Sequence, residues 1–255
     1  MSVSGKVVII TGAAVGIGLA AGHAFAKAGA RVVLVDVDAD GVVAAGKEVS
    51  ASGAEVLIQP TDITDPQAVN AMVAATIEQF GRVDALYNNA GGPSPSDGDI
   101  TQLDVAAFES AFRVDLFGTI FCSRAVIGPM RKVGGGAIVN TTSMVAVRGV
   151  AGRDAYVAAK GAIISLTKSM AAEFGRDGIT VNAIAPGVTR SERVIRLLET
   201  DGRTRALTDR HVVGFVEPSD VAAAAVFLAG DGARRITAQV ISVDSGSTQV
   251  VATQR

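Results

Sequence analysis

The chain has 255 residues, 49% of them apolar and 19% charged, with a formal net charge of −2. That balance excludes a basic nucleic-acid stripe and a polybasic membrane patch, no apolar run approaches the roughly eighteen residues of a membrane span, and the apolar run at the N-terminus is too short for a signal peptide. The single cysteine, Cys122, excludes an intrachain disulfide and fits a reducing compartment, so the expected protein is soluble and cytoplasmic.

In chain order, residues 6–11 (KVVIIT) form a short β-branched run that stops at glycine, and 16–29 read as a helix. A second strand is expected over 31–36, a helix over 39–52 and a third strand over 55–59. Residues 65–80 read as a helix with Asp65 as N-cap and Pro66 at the first helical position. A fourth strand over 83–87 leads into a Gly, Pro and Ser-rich loop over 91–99. A long helix is expected over 103–133, with Cys122 packed inside its apolar pattern. Strand 137–141, helix 154–176, strand 180–184, helix 218–229 and strand 239–243 complete the series. This alternation predicts an α/β fold of Rossmann type, a doubly wound, seven-stranded parallel sheet covered on both faces, in a single domain. Ligands in such sheets bind at the carboxyl ends of the strands, where Thr11, Asp36, Asn88, Ser143 and Pro186 all fall.

Residues 11–18 read TGAAVGIG between a strand and a helix. Gly12 permits the tight turn, Gly16 close approach of backbone to a pyrophosphate, and Gly18 close helix–strand packing, with Val15 and Ile17 between them facing the same ligand. The helix N-terminus offers its free N–H groups to the phosphates. Asp36 ends the second strand, where a carboxylate accepts from an adenosine ribose and repels a 2′-phosphate. With Val37 next to it and Ala13 and Ala14 in the loop, no cation is evident for that phosphate, so NAD is expected rather than NADP. Asp62 and Ile63 can frame the adenine. NNAG at 88–91 places Asn89, Ala90 and Gly91 at the end of the fourth strand.

Tyr156 and Lys160 are i and i+4 neighbours on one helix. A bare phenol titrates at about 10; a cation about 4 Å away, at an effective dielectric near 20, is worth roughly 4 kcal/mol, about three pKa units, which brings a phenol into the neutral range. Ser143 can hold the carbonyl or alcohol oxygen that such a phenol serves. Alone, a Tyr–Lys pair is ordinary on amphipathic helices; the glycine-rich loop gives it meaning.

Together, TGAAVGIG at 11–18, Asp62, NNAG at 88–91, Ser143, YVAAK at 156–160 and Pro186–Gly187 resemble the short-chain dehydrogenase/reductase family over essentially the whole chain. The resemblance implies NAD(P)-dependent oxidation of an alcohol or reduction of a ketone. It implies that Tyr156 is the acid/base, that Lys160 binds the nicotinamide ribose and activates the tyrosine, that Ser143 orients the substrate oxygen, and that Val188 and Ser191, after Pro186 and Gly187, touch the carboxamide. It also implies a homotetramer using the helices at 103–133 and 154–176. The chain departs from the family at Asp115 in RVDLFGT (113–119), where an asparagine normally supports a water-mediated proton relay. An ionised Asp115 accepts but does not donate hydrogen bonds, so either the relay is rewired, with Lys160's field partly offset, or the swap still holds the water. Ala159 and the run Asp244–Ser245–Gly246 are smaller departures.

Residues 189–213 are expected to form a mobile lid. It carries Arg190, Arg193, Arg196, Arg203, Arg205 and Arg210 against Glu192, Glu199, Asp201 and Asp209. A solvated helix with i,i+4 pairs, such as Glu192 with Arg196, accounts for most of them. Arg153 and one of Arg190, Arg193 and Arg196 are the candidates for binding an anionic substrate group. Pro93, Ser94, Pro95 and Ser96 are expected as another pocket wall. His23 and His211 make no metal constellation; His211 can reach substrate from the lid. The expected protein is an NAD-dependent dehydrogenase or ketoreductase for a secondary alcohol or ketone. The alternatives are an NAD-binding regulator without turnover and an epimerase or dehydratase on the same fold.

Overall fold

In the computed structural model, residues 3–94, 96–102, 104–200 and 202–250 are described, without the side chains of Arg193 and Arg203. The expectations placed on Pro95, Leu103, Asp201, Arg193 and Arg203 lie outside the described residues. Strand β1 (Val7–Thr11) is wholly buried, as its run of Val and Ile requires of a strand covered on both faces. It is followed by α1 (Gly16–Lys27), β2 (Arg31–Asp36), α2 (Ala39–Ser50), β3 (Val56–Pro60), α3 (Pro66–Phe80) and β4 (Ala85–Asn88). Asp65 caps α3 by accepting from the Gln67 N–H, with Pro66 in the first turn.

The second half runs α4 (Val105–Ala111), α5 (Thr119–Lys132), β5 (Gly136–Thr141), α6 (Met144–Arg148), α7 (Asp154–Phe174), β6 (Ile179–Pro186), α8 (Glu192–Thr200), α9 (Gly202–Thr208), α10 (Pro218–Ala229) and β7 (Val240–Val243). All seven strands are parallel, in the order β3-β2-β1-β4-β5-β6-β7. The chain reverses its winding between β1 and β4, which opens a crevice at their carboxyl ends. One core layer packs α1, α2 and α10 on the sheet around Phe25, Leu34 and Leu228. The other packs α3, α5 and α7 around Met72, Met130 and Ile138, with Cys122 inside it. Burial pushes the Cys122 thiol up to about 12, so it is an inert packing group.

The long helix expected over 103–133 is interrupted. Between α4 and α5, Phe112–Gly118 winds as a π-helix. Its wider turn shifts the register of the side chains relative to an α-helix, and Asp115 within it is buried. Residues 189–213, expected as a lid, contain α8 and α9, and Thr189 bridges to Val216. Among the described residues, no helix is long and apolar enough to cross a membrane.

Candidate active site

The glycine loop and the NNAG turn are stitched together. Thr11 Oγ1 accepts from the backbone N–H groups of Asn89 (3.0 Å) and Ala90 (3.1 Å). Asn89 Nδ2 donates to the carbonyls of Thr11 and Gly12, both at 3.1 Å. Gly12 has φ of 67°, and a Cβ there would come 2.7 Å from Ala90 Cα; a Cβ on Gly18 would overlap the Gly12 carbonyl oxygen. These glycines let the loop pack closely against the NNAG turn. The first turn of α1 has neither a side-chain cap nor an acid, so its N–H groups remain open for an anion. At the end of β2, Asp36 is locked from both sides: Oδ2 accepts from the Ala14 N–H and Oδ1 from the Asp38 N–H, each at 3.0 Å. Val15 and Val37 stand exposed at the rim, and Ile63 packs over Gly118. This cradle fits a dinucleotide.

The expected reactive groups lie just past β5 and on α7. Strand β5 delivers Ser143, whose Oγ accepts from the Val145 N–H at the start of α6 (3.4 Å). Helix α7 delivers Tyr156 and Lys160, with Nζ 5.8 Å from the Tyr156 ring centre. Arg153 does not cap α7 with its side chain. Asp97, far away in sequence, does: its carboxylate accepts from the N–H groups of Ala155 (3.1 Å) and Tyr156 (3.0 Å). The buried Lys160 ammonium donates to the Thr141 carbonyl at 2.9 Å and lies 3.0 Å from Asp115 Oδ1. The same Oδ1 accepts from the Gly92 N–H at 3.0 Å. Below the site, Asn88 Nδ2 donates to Ser123 Oγ and Asn140 Oδ1, and Asn140 Nδ2 to Thr167 Oγ1, fixing the ends of β4 and β5.

One cleft of about 910 Å³ gathers nearly all the residues singled out by sequence: the glycine loop, Asp36, Val37, Asp62, Ile63, Asn89, Ala90, Gly91, Ser143, Arg153, Tyr156, Lys160, Pro186, Gly187, Val188 and Ser191. Its size suits a coenzyme and a small substrate together. Gly18 and Asp115 stand one layer behind it, Gly18 against Gly12 and Asp115 behind Gly91. Beyond Tyr156, the wall is apolar, from Met144, Val145, Val188, Val194 and Leu207. The helix α6 was not expected; α8 falls where a solvated helix was read around Glu192 and Arg196, and Thr204 and Leu207 of α9 carried no motif.

The arginines divide. Arg153 Nη2 donates to Thr204 Oγ1 at 3.1 Å across the cleft. Arg190 pairs with Glu217 at 3.3 Å and covers the Phe215 ring. Arg196 lines the cleft, and the Glu192–Arg196 pair is not formed among the described residues. His211 does not line the cleft. It lies behind Gly187, edge-on to Phe215, with both ring nitrogens buried and unpartnered among the described residues. His23 instead contacts Glu48 at 2.8 Å between α1 and α2.

A doubly wound sheet with a dinucleotide cradle at its switch point and a Ser, Tyr and Lys set beside it defines an oxidoreductase of the nicotinamide-dependent kind. The profile of the family described as enoyl-(acyl carrier protein) reductase matches residues 12–248. The chain is 40% identical to the (2S)-[(R)-hydroxy(phenyl)methyl]succinyl-CoA dehydrogenase subunit BbsD of Thauera aromatica, over 96% of this chain and 98% of that one. It is 36% identical to the cis-4-hydroxycyclohexanecarboxylate dehydrogenase of Sinomonas cyclohexanicum, over 96% and 97%. A solved 7α-hydroxysteroid dehydrogenase complexed with NADH and 7-oxo glycochenodeoxycholic acid superposes with a TM-score of 0.90 at 32% identity, over 98% and 97%. The chain belongs to the short-chain dehydrogenase/reductase family, and it is an alcohol dehydrogenase or ketoreductase of that family.

Proposed function

We propose that the protein interconverts a secondary alcohol and its ketone with NAD, on a substrate with an apolar body and an anionic group. The observation that carries this reading is the convergence of Ser143 from β5 and Tyr156 from α7 on the cleft that Asp36 closes at its far end. The locked Asp36 carboxylate and the exposed Val37 support NAD over NADP, since a 2′-phosphate there would meet a negative charge. Gly12, Gly16, Val15, Ile17, Asp62, Ile63, Asn89, Ala90, Gly91, Pro186, Gly187, Val188 and Ser191 would hold the coenzyme. When bound, it supplies the acceptor or donor of hydride.

The chain's own residues do the proton chemistry. Ser143 Oγ holds the substrate oxygen, Tyr156 Oη takes the hydroxyl proton in oxidation and returns it in reduction, and Lys160 favours the phenolate. Met144, Val145, Val188, Val194 and Leu207 pack the apolar body, and Arg153 and Arg196 meet the anionic group. Residues 189–213 act as the substrate lid. Two of the relatives act, by their names, on a CoA thioester and a carboxylate, which agrees with this polarity.

The protein is also read as a cytoplasmic homotetramer assembled through α4, α5 and α7. Support comes from the stacked pairs Phe108–Phe112 and Phe117–Phe121 and from the exposed Phe117 and Val105 on that face. Sedimentation of the purified protein as a monomer would reject this.

The functional test is a screen of secondary alcohols, including cyclic hydroxy acids and 3-hydroxyacyl thioesters, followed as NADH absorbance with NADP in parallel. The expected result is NAD reduction, stronger for anionic substrates, with a raised KM for those substrates in Arg196→Ala. No turnover with either coenzyme across the screen would overturn the reading.

A further inference from the structure

We propose that Asp115 sets the charge at the reaction centre: pairing directly with Lys160, it offsets part of the ammonium's field, favours the oxidised coenzyme over the reduced one, and raises the pH at which Tyr156 serves as base. The inference rests on the roles given above to Tyr156 and Lys160.

The contacts leave little freedom. Asp115 Oδ1 lies 3.0 Å from Lys160 Nζ, and both side chains are nearly inaccessible, at 1% and 3% exposure. Solvent therefore screens the pair less than it would an exposed one. The same oxygen accepts from the Gly92 N–H, and a Cβ on Gly91 would overlap it, so the loop after β4 closes over the carboxylate. The π-turn aims the side chain there, and Thr119 Oγ1 anchors that turn by donating to the Asp115 carbonyl at 3.0 Å.

An amide in this position would accept the same two hydrogen bonds but carry no charge. The carboxylate makes the pair neutral, and the consequences follow from sign alone. Oxidised nicotinamide carries a positive ring charge and the reduced form none, so removing a nearby net cation favours the oxidised form. A phenolate is negative, so the same removal disfavours it and shifts general-base activity to higher pH. The other ionisable groups facing this cluster are Tyr156 and Arg153 on α7 and Asp97 in the loop before α4. Asp97 is engaged by the N-terminus of α7, Arg153 reaches Thr204, and Arg113 on the π-turn is exposed. Asp115 is thus the acid in direct contact with Lys160 among the described residues.

The test compares wild type with Asp115→Asn and, as a smaller neutral side chain, Asp115→Ser. Dissociation constants for NAD⁺ and NADH are measured by calorimetry and by NADH fluorescence, and kcat/KM for alcohol oxidation is followed from pH 5 to 10. In the neutral variants the NAD⁺ to NADH ratio of dissociation constants should rise by roughly threefold or more. The half-maximal pH of kcat/KM should fall by about one unit, the low end expected when a contacting opposite charge is removed. A ratio within about twofold of wild type together with superimposable pH profiles would overturn the proposal. Failure of both variants to fold would do so too, by making the carboxylate a structural requirement. A shifted ratio without turnover by any form would reject the dehydrogenase reading and leave this one standing; wild-type turnover with an unshifted ratio and profile would do the reverse.

Discussion

Thr142 Oγ1 donates to the backbone carbonyl of Lys160 at 2.7 Å, so the strand end that presents Ser143 is bonded to the helix that presents Tyr156 and Lys160. The next residue up the same strand, Thr141, receives the Lys160 ammonium on its carbonyl. Two adjacent threonines thus fix backbone and side chain of one lysine, and with them the separation of serine and tyrosine. Positioning of this kind matters because misplacement by about 1 Å costs on the order of 10² in rate.

Thr142→Val keeps the shape and deletes that bond. Thr142 is fully buried, so the variant should lose about 1 kcal/mol of stability. It should lose kcat by tenfold or more, in the order-of-magnitude range of a loosened site, with coenzyme affinity nearly unchanged. Urea unfolding, steady-state kinetics and coenzyme titration read the three quantities. A kcat equal to wild type would show that α7 holds its place without the bond.

Tyr156→Phe removes the proposed proton carrier and nothing that folds the protein. Turnover should fall by roughly 10² to 10⁴, the usual worth of a positioned acid/base, while the melting temperature and NAD affinity stay near wild type. Residual activity above a tenth of wild type would assign the proton to another group.

Gly18→Ala tests the coenzyme cradle from behind. The added methyl would overlap the Gly12 carbonyl and come 2.8 Å from Asn89 Nδ2, pushing the loop off the NNAG turn. NAD affinity should drop by about tenfold or more, roughly 1.4 kcal/mol. An unchanged dissociation constant in calorimetry would mean that the loop does not bear on the pyrophosphate.

The chain announces most of this site because its functional residues sit where local rules are strongest. Short apolar runs ended by Gly, Asp or Asn mark the carboxyl ends of most strands, such as β1, β2 and β4, and Tyr156 and Lys160 need only helical periodicity to become neighbours. What stayed hidden depends on distance in space. Asp97 caps a helix 58 residues further on, so α7 looks uncapped to any local reading. The π-turn shifts the helical register in the middle of the run over 103–133, which composition and propensity alone do not announce, so that run reads as one helix. Sequence flagged Asp115 as an unusual acid, but only the widened turn shows it in direct contact with Lys160. The helices α8 and α9 hold the substrate wall by a few contacts such as Arg153 with Thr204, which no motif encodes.

His211 carries a pH signature. Burial lowers its tendency to protonate, an effect that the nearby Asp244 carboxylate partly offsets. The unfolded imidazole titrates at about 6.5. Above that pH both states are neutral and the residue is silent. Below it the unfolded chain takes up a proton that the folded chain resists, so stability is lost as pH falls from about 6.5 towards the lowered folded value. His211→Phe keeps a ring against Phe215 and removes the proton. Between pH 7 and 5 the wild-type melting temperature should fall more steeply than the variant's. Parallel curves would mean that the imidazole charges in place, close to Asp244.

The proposed preference for NAD rests on two adjacent residues. Asp36 is held by the N–H groups of Ala14 and Asp38, so its charge cannot swing away from an incoming 2′-phosphate, and Val37 beside it is exposed and contributes no cation. Asp36→Ser with Val37→Arg removes the negative charge, leaves a hydroxyl to accept one of the two N–H groups, and places a guanidinium at the rim. The NAD to NADP ratio of kcat/KM should fall by tenfold or more, about 1.4 kcal/mol of changed discrimination, and the gain for NADP should shrink at high salt because the new contact is ionic and exposed. A ratio that does not move would place the adenosine ribose away from the end of β2, and with it would go the physical basis for reading this enzyme as NAD-dependent.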